Sequence, residues 1–191
     1  MGHSQAAKQS THERIVALAA ERFCELGLDG LSIANLMKEA GLTHGGFYKH
    51  FESRDQLVAE ALETAFRRSE KAPAPGFDRL VGEYLSPEHR DGVGTGCAVA
   101  ALVSDIGRVQ GEARERYSRK LQANIRGIAT LLGSADETRR SRAIVAFSAM
   151  VGALGLARAV TDESLSEEIL SSVRTYLLEQ FGAADAPDGT P

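Results

Sequence analysis

Apolar positions along this chain fall at helical spacing from end to end, and no stretch alternates convincingly as a strand. Ile15, Leu18, Ala19, Phe23 and Leu26 form one face of a first helix, opened by Ser10-x-x-Glu13 as a capping box. Gly27-Leu28-Asp29-Gly30 ends it. Ser32 caps a second helix lined by Ile33, Leu36, Met37 and Ala40, and a third, short helix covers residues 43–50 after a turn at Gly41. Ser53-x-x-Gln56 begins a fourth, with Leu57, Ala61, Leu62, Ala65 and Phe66 inward. Pro73 and Pro75 then break the helical pattern.

Beyond the break, Phe77, Leu80, Val81, Tyr84 and Leu85 predict a fifth helix, followed by a polar, Gly-rich loop over 86–96. Residues 97–106 are apolar almost all round, as in a centrally buried helix. Ala113, Tyr117, Leu121, Ile125, Ile128 and Leu132 make a long stripe. Ser134-x-x-Glu137 opens a helix reaching about Val160, and Ser164-x-x-Glu167 opens a last one reaching about Phe181. The pattern predicts an all-α protein of about nine helices. Its parts are a head over 11–71, a helical bundle over 76–182, and a small, polar tail over 183–191 expected to be disordered.

Composition narrows the class without naming a function. With 43% hydrophobic and 25% charged residues the chain is ordinary for a soluble globular protein. No apolar run approaches the roughly 20 residues of a membrane span, and the first residues lack the apolar core of a secretory signal. Cys24 and Cys97 make neither a disulfide framework nor a closely spaced metal pair, so a cytoplasmic location is expected, with no metal and no cofactor. The net charge of −4 argues against nonspecific polyanion binding. Residues 1–71 carry 9 Lys and Arg against 10 Asp and Glu, a net of −1, and the remainder 13 against 16, a net of −3. A case for DNA therefore rests on local arrangement: His44, Lys49, His50 and Arg54 face a single acid, Glu52.

That arrangement lies in Gly-Leu-Thr-His-Gly-Gly-Phe-Tyr-Lys-His-Phe, residues 41–51. Two helices joined by a short Gly turn, with small or polar groups opening the second, suit entry into a DNA groove. Thr43 is placed to cap the second helix, and Gly45 and Gly46 let backbone approach phosphates or base edges. Phe47 and Phe51, four apart, read most simply as core residues. Singly, Tyr48, Lys49 and His50 are as consistent with packing or a solvated face; it is their joint spacing that is informative.

The run Gly-x-Thr/Ser-x-Gly-x-Phe-Tyr-x-His-Phe-x-Ser-Arg/Lys-x-x-Leu, from Gly41 to Leu57, closely resembles the tetracycline-repressor (TetR) family of bacterial transcriptional regulators. The similarity extends over roughly residues 11–71. It implies that His44, Gly45 and Gly46 sit at the groove, reading bases or lying against the backbone, with Thr43, Tyr48, His50 and Arg54 on phosphates; Lys49, a cation in the same segment, is expected to touch the DNA backbone as well. Ser32 matches a phosphate contact at the start of the supporting helix. Ile33 and Ala34 depart from the pattern, since several family members carry Arg, Lys or Thr there to reach a further base. Sparse direct readout leaves more specificity to DNA shape.

The resemblance further implies a ligand-responsive repressor binding a palindromic operator in double-stranded DNA as a homodimer through its last two helices. Residues 139–160 and the final helix supply the small and bulky positions for that contact, although an intramolecular hairpin would use them equally. Phe66, Tyr84, Leu102, Tyr117, Leu121, Phe147 and Met150 are candidates for an apolar effector pocket, and each fits packed core as well. Cys97, after Gly92-Val93-Gly94-Thr95-Gly96, sits near a predicted helix N-terminus, so an alternative is a thiol- or electrophile-sensing regulator. The glycine-rich stretch lacks the Gly-Lys-Ser/Thr of a phosphate loop. The chain contains no Gly-x-Ser-x-Gly and no His-Glu-x-x-His, and His89 stands alone in a polar loop, so no enzyme is expected. A helical interaction protein that does not bind DNA is the third reading.

Overall fold

The computed structural model describes residues 2–69, 76–133 and 137–182. The Pro73–Pro75 break, Ser134 and the 183–191 tail lie outside them. Among the described residues there are ten α-helices, one 3-10 helix and no strand. The chain groups into two compact units, one of residues 1–70 and 93–119, the other of 71–92 and 120–191. Residues 93–119, which the sequence pattern assigns to the C-terminal region, thus group with the head.

In the first unit, α1 runs Gly2–Leu26 and starts well before the Ser10 cap anticipated from sequence. The residues ahead of Ser10 include Ala6, Ala7, Lys8 and Gln9, all good helix formers, so nothing stops the helix at the box. Gln9 bonds Glu13 at 2.9 Å and the Thr11 hydroxyl donates to the Ala7 carbonyl at 2.9 Å, both one turn apart. Gly27 ends α1 in the left-handed region (φ +76°) with its N–H on the Phe23 carbonyl. Helix α2 spans Ile33–Glu39, and the Ser32 hydroxyl oxygen accepts the Asn35 N–H at 3.2 Å, as the sequence indicates. It closes in a Schellman motif: Gly41 (φ +71°) donates to Lys38 and Leu42 to Met37.

The 3-10 helix His44–Lys49 follows, then α3, Arg54–Ser69. Ser53 Oγ accepts the Gln56 N–H at 3.1 Å while Gln56 Oε1 reaches back to the Glu52 N–H at 2.7 Å. Helix α3 packs along α1, burying Ile15, Ala19, Phe23, Leu57 and Leu62. Leu26, expected inward, is instead 53% exposed, because α1 rotates that last position away from the seam.

The anticipated single helix over 97–106 is split into α6, Ala98–Ala101, and α7, Val103–Ile106, about Leu102 at φ −113°, ψ 8°. The Val99 carbonyl, which a continuous helix offers to the Val103 N–H, accepts the Tyr117 hydroxyl at 2.8 Å. Helix α8 spans Glu112–Leu131, and its residues up to Arg119 belong to this unit.

The second unit holds α4, Phe77–Tyr84, α5, Pro87–Asp91, and the two long helices α9, Glu137–Ala159, and α10, Glu163–Phe181. Helix α5 occupies what reads as loop. Ser86 caps it through the His89 N–H and Pro87 takes its first turn, a signal that the glycines downstream obscure. Helix α10 is capped by Asp162, which accepts from Ser164 and Leu165, so the helix begins just ahead of the Ser164 start the pattern suggests. Helices α9 and α10 pack along each other. Arg158 ties α9 to the His89 and Arg90 carbonyls at 2.7 and 2.9 Å. By length and apolarity α9 is also the one described helix able to cross a membrane (mean hydropathy 1.4). Its Ala143, Ala146, Phe147, Met150, Ala153 and Leu154 are buried in the unit, a pattern shared with core helices.

Candidate nucleic-acid interface

The recognition segment is short because its sequence favours a tight turn over a long helix. Gly45 and Gly46 weaken α-propagation, and Thr43, extended at φ −82°, ψ 151°, opens a 3-10 helix. The Thr43 hydroxyl makes no capping bond, contrary to the sequence expectation. The tighter i to i+3 ladder is started by its backbone carbonyl, which accepts the Gly46 N–H at 2.9 Å.

Two aromatic anchors orient the segment. Phe47 and Phe51 are 0% and 2% exposed, with ring centroids 5.2 Å apart, and His12 of α1 stacks on Phe51 at 4.5 Å. With Phe47 turned in, Thr43, His44, Gly45, Tyr48 and Lys49 lie on the exposed side. Tyr48 is 67% exposed and holds its ring edge-on to Phe47 at 5.3 Å. An amphipathic ring with so much free surface is available to a partner rather than to the core.

His50 is half-buried, and its Nδ1 is buried without a hydrogen-bond partner. Burial, then the positive neighbours His12, Lys8 and Lys49, hold its imidazole below the usual histidine range, so it is neutral near pH 7. The ring is propped from below by a polar chain. His12 Nε2 meets Glu60 Oε2 at 2.6 Å, and Glu60 Oε1 accepts from Gln56 Nε2 at 2.9 Å. His12 and Lys8 are neighbours of His50 that the sequence pattern does not single out. The available signal was a histidine four residues ahead of buried Val16, on the face α1 turns to α3.

Ser32 and Asn35 stand exposed at the N-terminus of α2, beside the recognition segment. Arg22 fixes α2 on α1: its Nε and Nη2 reach Glu39 Oε1 at 2.8 and 2.6 Å, and Nη1 meets Glu25. Hydrogen bonding to Arg22 pulls the Glu39 carboxyl below its ordinary range. Arg54 is placed differently from a free phosphate hand. Its Nη2 donates to the Leu28 carbonyl and lies 3.5 Å from that of Leu31, with Nη1 3.9 Å from Asp29.

The two recognition glycines differ. A Cβ on Gly45 would meet nothing within 4 Å, whereas one on Gly46 would touch Met37 Cε at 3.6 Å and Thr43 Oγ1 at 3.7 Å. Neither glycine has a positive φ. The free protein therefore tolerates a side chain at either position.

The seven pocket candidates divide between the units. Phe66, Leu102 and Tyr117 are buried in the first, with Phe66 and Tyr117 rings 6.4 Å apart. Tyr84, Leu121, Phe147 and Met150 belong to the second, with Tyr84 and Phe147 rings 6.2 Å apart. Burial pushes the Tyr117 hydroxyl well above the usual tyrosine range, consistent with its role as a neutral donor to Val99. A groove of about 440 Å³ in the first unit is lined by mostly polar residue types, among them His12, Glu60, Arg67 and Arg116, and by none of the seven. Cys97 is buried at the N-cap of α6 and forms no disulfide.

Residues 15–61 match the family described as bacterial regulatory proteins, tetR family. Over 53 residues the chain is 34% identical to the HTH-type transcriptional repressor KstR2 of Mycolicibacterium smegmatis, covering 28% of this chain and 26% of that protein. The chain spans about a quarter of the length of the curated relatives it matches. Structural similarity covers far more. A TetR transcriptional regulator from Chloroflexus aurantiacus superposes with TM-score 0.75 at 25% identity, over 92% of this chain and 97% of the other. AibR, solved in complex with isovaleryl coenzyme A and operator DNA, superposes with TM-score 0.62 at 14% identity, over 90% and 98% of the two chains.

Proposed function

We propose, from the premise that the chain is a TetR-family transcriptional regulator, that it is a ligand-responsive repressor binding a palindromic operator as a homodimer. The observation carrying the DNA reading is the exposed row His44, Gly45, Tyr48 and Lys49, held out by buried Phe47 and Phe51. His44 and the glycine backbone meet base edges. Thr43, Tyr48, Lys49, His50 and the Ser32-capped end of α2 meet phosphates, where hydroxyls, a cation and a helix N-terminus all favour an anion.

A near-palindrome needs two heads related by a dyad. The last two helices carry an apolar face that the single chain leaves open: Val145 is 55% and Leu156 60% exposed on α9, and Leu165 43% and Tyr176 57% on α10. Gly152 and Gly155 lie between the α9 pair, with open space around each. A second copy covering this face joins the two α9–α10 pairs into four helices. The effector is an apolar or amphipathic small molecule, and it releases DNA by disfavouring the head separation that the operator requires. AibR's acyl-coenzyme A complex supports a ligand of that general kind on this fold. The buried state of Cys97 favours this ligand switch over a thiol switch, since thiolate chemistry needs access.

Selection of bound duplexes from random DNA at fixed salt tests the reading. An enriched inverted repeat bound by a dimer supports it. No enrichment, or full affinity from a monomer, overturns it.

A further inference from the structure

We propose that Arg54 is a positioning residue for DNA binding, a role that rests on the DNA reading above. Its guanidinium holds the Leu28 and Leu31 carbonyls and so fixes where the Ser32-capped start of α2 meets the DNA backbone. Resemblance alone made Arg54 a phosphate contact, but the structure already commits its Nη2 to the turn between α1 and α2.

The turn explains why such a tie is useful. It reverses the chain within a few residues, using Gly27 at φ +76°. At Gly30 any Cβ would sit 2.1 Å from the Leu26 carbonyl oxygen. Tight turns leave carbonyls without helical partners, and those of Leu28 and Leu31 converge on one side. Leu31 directly precedes Ser32, whose hydroxyl caps α2 through Asn35. The side chains of Leu28 and Leu31 are each 4% exposed, which anchors the turn on its other side. A donor spanning the two carbonyls therefore locks the residue immediately before the α2 cap.

Arg54 suits the task by position and shape. It opens α3, where the positive end of the helix disfavours a cation along its own axis. The side chain is directed instead to oxygen acceptors, with the Asp29 carboxylate 3.9 Å from Nη1. Its planar fork sets Nη2 on both carbonyls while Nη1 faces Asp29. A lysine ammonium, a compact point charge, does not reproduce that span.

The full-length protein carrying Arg54→Lys, Arg54→Gln or Lys49→Ala would be compared with wild type in two measurements. One is DNA affinity against salt concentration on a selected duplex. The other is amide exchange at Asn35, whose N–H bonds Ser32. The positioning role predicts that both Arg54 variants lose at least about tenfold in affinity while keeping the wild-type salt slope, and that Asn35 exchanges faster in both. Lys49→Ala, by contrast, flattens the slope by about 0.9, one phosphate's worth, and leaves Asn35 exchange unchanged. Wild-type affinity in Arg54→Lys, with a flattened slope and normal Asn35 exchange in Arg54→Gln, makes Arg54 a direct phosphate contact and overturns the proposal. If Arg54→Gln does not fold, the Lys variant decides alone: unchanged affinity and exchange sink the positioning role. Wild-type protein that binds no duplex defeats the DNA reading itself, and any Arg54 role in binding with it. That failure is recognisable because it is present before any substitution.

Discussion

Replacing Gly45 with alanine is expected to stabilise the free protein and to weaken its hold on DNA, two effects of opposite sign from one methyl group. Gly45 lies at the exposed opening of the recognition segment, without a positive φ, and a Cβ there meets nothing within 4 Å. The native backbone thus accepts alanine without strain. Removing glycine's freedom from the unfolded chain then stabilises by about 0.4–1 kcal/mol, or roughly 1–4 °C in melting temperature for a chain of this size. In the proposed complex DNA fills the same open space. If the Gly45 backbone approaches a base edge or phosphate, the methyl holds it off, and a loss of tenfold or more corresponds to about 1.4 kcal/mol. Gly46→Ala is the internal control, because its methyl points into ordinary contact with Met37 and Thr43. It should change affinity less. Melting curves and fluorescence anisotropy on one selected duplex at one salt concentration read both quantities. Gly45→Ala protein that melts higher yet binds as tightly as wild type would show that no backbone approaches DNA at this position.

Three further substitutions probe the remaining parts of the reading. Tyr48→Ala, removing a side chain that is 67% exposed, should lower DNA affinity about tenfold or more and leave circular dichroism and dimerisation unchanged; unaltered binding removes Tyr48 from the interface. His50 is held below its ordinary 6.5 in the folded head, so the unfolded chain takes up that proton first. The stability it supports is present above pH 6.5 and is lost as pH falls through 6.5 towards its lower folded value. His50→Gln should therefore flatten the urea midpoint between pH 7.5 and 5.5, and a profile identical to wild type refutes the assignment. Gly152→Leu meets open space within its own chain, so it should leave the monomer's fold intact while driving the two copies apart. Sedimentation that still reports a dimer would move the interface elsewhere.

The helices were legible because their periodicity and punctuation are local. Ser32, Ser53, Gly27 and Gly41 act on neighbours within a few residues, and each caps or ends a helix as its chemistry requires. The all-α class follows from such signals, and so does the inward pairing of Phe47 with Phe51, while the TetR-like head rests on the resemblance of the run from Gly41 to Leu57. Where two local signals competed, pattern alone misjudged. The Ser10 box did not open α1, because helix-favouring residues precede it, and Asp162 capped α10 ahead of Ser164.

Other features depend on groups far apart in the chain, and no local pattern carries them. Tyr117 reaches the Val99 carbonyl and marks the break between α6 and α7. His12 and Glu60, 48 residues apart, brace the base of the recognition segment. Arg54 is drawn to carbonyls 26 and 23 residues upstream, although its place in the motif suggested a phosphate. Sequence by itself determined most of the helical segments and their apolar faces, since propensity, capping and period act over one or two turns, but α5 and the break between α6 and α7 escaped it. Only the tertiary structure decided what the polar side chains with distant partners are bonded to, because a donor takes whichever acceptor packing brings within about 3 Å, wherever that acceptor lies in the chain.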